Sequence, residues 1–226
     1  MTHPPHEFSP KALGMNEQEI STNPFRVAWR AAQLLYEELF SFVGISLLTW
    51  AALITVILGP PAVAALHEMA RLAADGRAVG VQRWWEETRK LFRRAWLVGG
   101  LLGVLGVIGW VNVRFYTRFS HIGPYIILIW ILLLVLWYLV FLFVWAIMAV
   151  QEETRVRFLL RNTLYLVLLF PFHAFFSGIF VAVLTLISLL LPILLLLLPA
   201  YVALYTTYLT RQLILSAHER AGSGND

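Results

Sequence analysis

Charge and cysteine are what this chain has least of. Only 13% of its 226 residues are Asp, Glu, Lys or Arg, and none is Cys. The absence of cysteine excludes a disulfide scaffold, a thiol nucleophile and any cysteine-ligated metal site. A soluble domain carries about 25% charged residues, so the polar surface needed to keep this chain in water is missing. Carboxylates are absent from every long apolar run. That argues against a proton relay or a cation-coupled pump, which place Asp or Glu inside the membrane.

What is present is apolar. Hydrophobic residues make up 60% of the chain and mean hydropathy is +0.75. A soluble fold of this length cannot hide that much apolar surface, and an aromatic share of 14% is far from a disordered composition. The sequence therefore predicts an all-α polytopic membrane bundle. Backbone in lipid must be satisfied within helices or a closed barrel, and no barrel alternation is visible. A crossing needs about 20 apolar residues. Such runs cover residues 39–58, 96–113 and 125–150, and a stretch from 164 to 209 long enough for two. Splitting it as 164–184 and 189–209, with a turn near Thr185–Ser188, gives five spans in one domain, 23–220. Residues 1–22 read as a flexible polar segment without the apolar core of a signal peptide, and 221–226 as a tail.

Between the spans, two amphipathic patterns carry most of the charge. Asn23-Pro24 is a helix start. Arg26, Arg30, Gln33 and Glu37 follow on one face, and Phe25, Trp29 and Tyr36 on the other. The connection 60–95 predicts a cytoplasmic helical hairpin. Its first arm, 62–74, shows His67, Glu68, Arg71 and Asp75 on a polar side that reads as solvated. Its second arm, 81–95, carries Arg83, Trp84, Trp85, Arg89, Lys90, Arg93 and Arg94. Arg and Trp together suit a helix at headgroup level. That arm is the candidate surface for anionic lipid headgroups or a protein partner, and the lipid bilayer accounts for the basic excess without nucleic acid. Lys and Arg counts then place this connection and the C-terminus inside and the N-terminus outside.

Motifs for chemistry are sparse. His67-Glu68-x-x-Arg71 lacks the second histidine of the zinc-protease helix, and that zinc site needs two histidines on one face. Gly99, Gly103 and Gly106 repeat along one face of a span, which lets another helix approach closely. His173 is the one ionisable residue well inside a predicted span. It stands two residues after Pro171, whose ring would break the helix ladder. The pair is the candidate intramembrane polar site, and a histidine satisfied by its neighbours is the alternative. No cofactor, metal or catalytic set is read.

The stretch ALITVILGPPAVAALHEMARLAADG, the helix VQRWWEETRKLFRRAW and the Asn112…Tyr116 ending together resemble the YesL-like family of bacterial integral membrane proteins, a domain of unknown function. The carriers are Gly59, Pro60, Ala62, Ala65, Leu66, Trp84 and Trp85. The family's Pro-x-x-Thr-x-Gly-Pro stretch is only partly kept, since Thr55 lies further from Gly59 and no Pro precedes it. The resemblance implies an accessory role beside carbohydrate importers, hence a transporter subunit as partner, and no catalytic residues. The expected function is thus a non-enzymatic accessory or interaction protein of a bacterial cytoplasmic membrane. A small-solute transporter or channel around Pro171 and His173 is the alternative.

Overall fold

The computed structural model describes residues 23–119, 123–151 and 155–222. The N-terminal segment 1–22 and the tail from 223 lie outside them. Among the described residues there are only helices. They are α1 (Pro24–Glu37), α2 (Leu39–Ile54), α3 (Gly59–Ala74), α4 (Val81–Tyr116), α5 (Gly123–Val150), α6 (Val156–Leu169), α7 (Pro171–Leu190) and α8 (Pro192–Gly222). Four of them, α4, α5, α7 and α8, are long and apolar enough to cross a membrane, and α1 with α2 makes a fifth candidate only as a pair bent by 97°. The chain is an all-α integral membrane protein.

Prolines set the breaks. The residue before a proline is pushed out of the α region. Phe170 (φ −123°, ψ 58°) and Leu191 (φ −124°, ψ 96°) are the two junction residues of the C-terminal half. Pro171 and Pro192 each open the following helix, where a missing N–H costs little. This corrects two expectations. The span predicted at 164–184 is divided, because residues 164–169 finish α6. The turn predicted near Thr185–Ser188 is helical, and those hydroxyls bond back to the Val181 and Leu184 carbonyls. The chain turns at Leu191 instead.

The N-terminal half departs further. At 1.5 Å per residue the 16 residues of α2 are about 24 Å long, short of a hydrocarbon core of about 30 Å. The run predicted as a span over 39–58 stops at Ile54. There Thr55 caps the preceding turn, its hydroxyl donating to the Ala52 carbonyl. Val56 takes φ 60°, a left-handed conformation that a β-branched residue adopts only under constraint. The constraint comes from α4, where the Trp96 indole donates to the Ile57 carbonyl at 2.7 Å. The chain then doubles back as α3. Gly44 of α2 meets Val81, the first residue of α4. The α2–α3 pair therefore lies beside α4 between Val81 and Trp96.

The predicted cytoplasmic hairpin 60–95 does not exist as such. Its first arm, α3, is an interior helix that touches α2, α4, α5 and α8. Alanines at 62, 64, 65, 70 and 73 are buried there, and their small side chains let the neighbours close in. Its second arm has no break before the span, so α4 runs 36 residues, about 54 Å. Its first half carries the charge and its second half the apolar residues.

Indole and phenol donors tie the helices together through backbone carbonyls. Trp137 reaches Leu102 from α5 to α4, and Tyr138 reaches Gly178 from α5 to α7. Trp50 reaches Leu195 from α2 to α8, and Tyr201 reaches Ala28 from α8 to α1. Each carbonyl has a second lone pair to spare, so these bonds cost the helix ladder nothing. Glycine supplies the close approaches: a Cβ on Gly106 would lie 2.6 Å from the Trp137 ring, and one on Gly178 2.7 Å from Leu139.

Candidate functional site

The polar groups gather where the sequence does not place them, in a seam between α3 and α8. Arg211 is 2% exposed, and its guanidinium donates to Asp75 at 2.8 Å. Asp75 caps the end of α3 and also takes a bond from Arg71 at 3.1 Å. Arg71 turns its other nitrogens to Glu68, with Nε donating to Oε2 at 3.1 Å. The hydrogen bond to Glu68 keeps Arg71 charged, pushing its pKa above the usual arginine value. Four charges thus form a chain Glu68–Arg71–Asp75–Arg211 across two helices. By local pattern alone the three on α3 form a solvated face. Their covering partner is 136 positions away from Asp75 and could not be seen locally.

His67 extends the seam inward. Its Nδ1 donates to the Val63 carbonyl at 2.9 Å. Its Nε2 lies 3.3 Å from the Thr206 hydroxyl, which bonds the Val202 carbonyl at 2.7 Å. Burial keeps the ring neutral and pushes its pKa down to about 4, against the backbone bond to Val63 that raises it. On α8 the run Thr206-Thr207-Tyr-Leu-Thr210-Arg211-Gln212 is buried apart from Tyr208. The hydroxyls of Thr207 and Thr210 are enclosed without a hydrogen-bond partner. The signal for this side of the seam was in the sequence. Thr206/Thr210 and Thr207/Arg211 are i,i+4 pairs, so polar groups share one face of an apolar helix.

The expected intramembrane site is not assembled. Pro171 begins α7 rather than kinking it, so it frees no carbonyl in mid-helix. His173 sits in the first turn of α7, half-buried, with its ring edge-on to Phe170 at 6.0 Å. No carboxylate or hydroxyl is bonded to it among the described residues, and no group of three or more His, Asp or Glu residues there could hold a metal.

The basic arm resolves into faces. Trp84 leaves the expected surface: it is buried, and its indole donates to the Ala62 carbonyl at 3.3 Å. Trp85 stays exposed, with the Arg89 guanidinium 4.8 Å from its ring centre, a cation–π contact. Lys90 is exposed and pairs with Glu87 at 3.3 Å. Arg93 is exposed, while Arg83 and Arg94 are half-buried. Directly above this half of α4 opens a groove of about 540 Å³ with an almost wholly apolar lining. Its floor is Gly99, Gly100 and Gly103, and its walls are the α2–α3 turn and the rings of Phe141 and Trp145. Of the three repeated glycines, Gly99 packs against Pro60 and Gly106 against Trp137. A Cβ on Gly103 would meet nothing within 4 Å.

Comparison with protein-family models, curated proteins and solved structures returns no match.

Proposed function

We propose that the chain is a non-enzymatic accessory protein of a bacterial cytoplasmic membrane, and that the basic half of α4 is its contact surface on the inner side. The observation that carries this reading is the continuity of α4. One rigid helix holds an apolar half in the membrane and a charged half outside it, so a contact at Arg83 or Lys90 is coupled to the bundle without a hinge. The charge distribution supports the inner placement. If α4, α5, α7 and α8 cross and the α2–α3 pair turns back, only Arg114 and Arg118 of the 17 Lys and Arg residues fall on the far side. That asymmetry matches the positive-inside pattern and supports an N-terminus inside together with the C-terminus. An external N-terminus needs the bent α1–α2 pair to cross as one broken span, and the short α2 favours the internal placement.

The YesL-like resemblance names the partner class, a membrane subunit of a carbohydrate importer. An affinity-tagged chain should co-purify with such a subunit. Reversing charge with Arg83→Glu and Lys90→Glu should reduce recovery at least tenfold, at about 1 kcal/mol for each charge contact. Unchanged recovery would remove α4 as the contact surface.

A second reading, a small-solute transporter, draws on one observation, the enclosed Thr207 and Thr210 hydroxyls beside the ionic seam. Polar groups facing the bundle interior mark substrate pathways. Solute flux in proteoliposomes that is abolished by Thr207→Val with Thr210→Val, in a folded variant, would select it.

A further inference from the structure

The faces of α4 separate further than the accessory reading requires. At 100° per residue, Trp85, Arg89, Arg93, Trp96, Gly100, Gly103 and Val107 all fall within a sector of about 80°. Arg83, Lys90 and Arg94 fall on another, roughly a quarter-turn or more away from Gly100. The first sector is a single line from two exposed arginines, past an interfacial tryptophan, into the glycine floor of the groove. Arg89 and Arg93 form no ion pair among the described residues. Glu86, the acidic residue nearest this line, lies one turn from Arg89 and two from Arg93, and it takes a bond from Gln82.

We propose that α4 holds one anionic phospholipid, its acyl chain in the groove over Gly100 and Gly103 and its phosphate at Arg89 and Arg93. Length fits the chain: the floor and far wall run from Trp96 to Ile108, 12 residues or about 18 Å, against about 15 Å for one leaflet of hydrocarbon. Surface chemistry fits as well. The lining is apolar, as an acyl chain needs, and it is concave where a smooth bundle would offer lipid only a convex face. Charge decides the headgroup. Two exposed guanidiniums stand within two helical turns of the groove mouth at Trp96, and guanidinium pairs with phosphate bidentately. The Trp96–Ile57 bond pins the α2–α3 turn that forms the groove's wall, which fixes its shape.

The test is native mass spectrometry of the full-length protein given equal amounts of phosphatidylglycerol and phosphatidylcholine with identical acyl chains. The wild type should retain a single phosphatidylglycerol in clear preference, at about fivefold per arginine in contact. Arg89→Gln with Arg93→Gln should bring the two lipids level while a lipid is still retained. Gly100→Leu with Gly103→Leu should expel both lipids. This pair is expected to fold, because Cβ atoms there meet nothing closer than Trp96 at 4.0 Å, and unchanged circular dichroism checks it. Equal retention of the two lipids by the wild type would overturn the proposal. So would a filled groove that keeps its phosphatidylglycerol. The accessory reading stands or falls separately, on Arg83 and Lys90.

Discussion

Replacing Asp75 by Ala should destabilise the protein by about 3–5 kcal/mol, the cost of breaking a buried ion pair from one side. The buried group that loses this carboxylate is Arg211. Its side chain is 2% exposed and its bond to Asp75 is 2.8 Å, so the pair is largely shielded from water. Asp75 also serves Arg71, but Arg71 keeps Glu68 and reaches the surface, which limits the loss there. The expected signature is non-additivity. Arg211→Met with Asp75→Ala should recover a large part of the loss, since a pair removed together leaves no orphan and a buried pair is itself worth little against apolar packing. Thermal unfolding of the four proteins of this cycle in one detergent checks it. Additive losses would mean that the two residues do not form a seam.

Acid should loosen the same region through His67. The ring is enclosed and neutral, with a pKa of about 4 against 6.5 when exposed. Between those values the unfolded chain binds the proton and the folded chain does not. Stability is therefore complete above about pH 6.5 and falls as pH drops towards 4. At 1.36 kcal/mol per pH unit the difference reaches about 3 kcal/mol. The His67 share is isolated by difference: His67→Gln should have a flatter stability profile from pH 6.5 to 4. If both proteins lose stability in parallel over that range, His67 is not a buried neutral histidine.

The sequence carried the fold class and the membrane because both follow from bulk composition and from runs of apolar residues. Helix ends at prolines were legible as well, once each proline is read as an opening residue rather than a kink. Pro171 opens α7 and kinks nothing, and taking it as a kink misplaces His173 in mid-span. The continuity of α4 was obscured by its change of composition at Trp96, although nothing between Val81 and Val98 breaks a helix. The interior position of α3 was beyond local reading. Its polar face has the same pattern whether water or Arg211 covers it, and only the fold brings α8 against it. In the same way Trp84 and Trp85 are indistinguishable neighbours in the sequence, yet a 100° rotation sends one into the core and leaves the other under Arg89.

The helical pair α2–α3 runs beside the basic half of α4 from Val81 to Trp96 and turns back at Val56 without crossing, so that both chain ends and that half of α4 share the inner side. The lack of native cysteine makes the decisive measurement simple. Single cysteines at Ser21, Arg77 and Thr117 are labelled in cells with a membrane-impermeant maleimide. Thr117→Cys should label in intact cells, and Ser21→Cys and Arg77→Cys only after permeabilisation. Labelling of Ser21→Cys in intact cells, with Arg77→Cys still protected, would show that α2 crosses the membrane and would contradict the account.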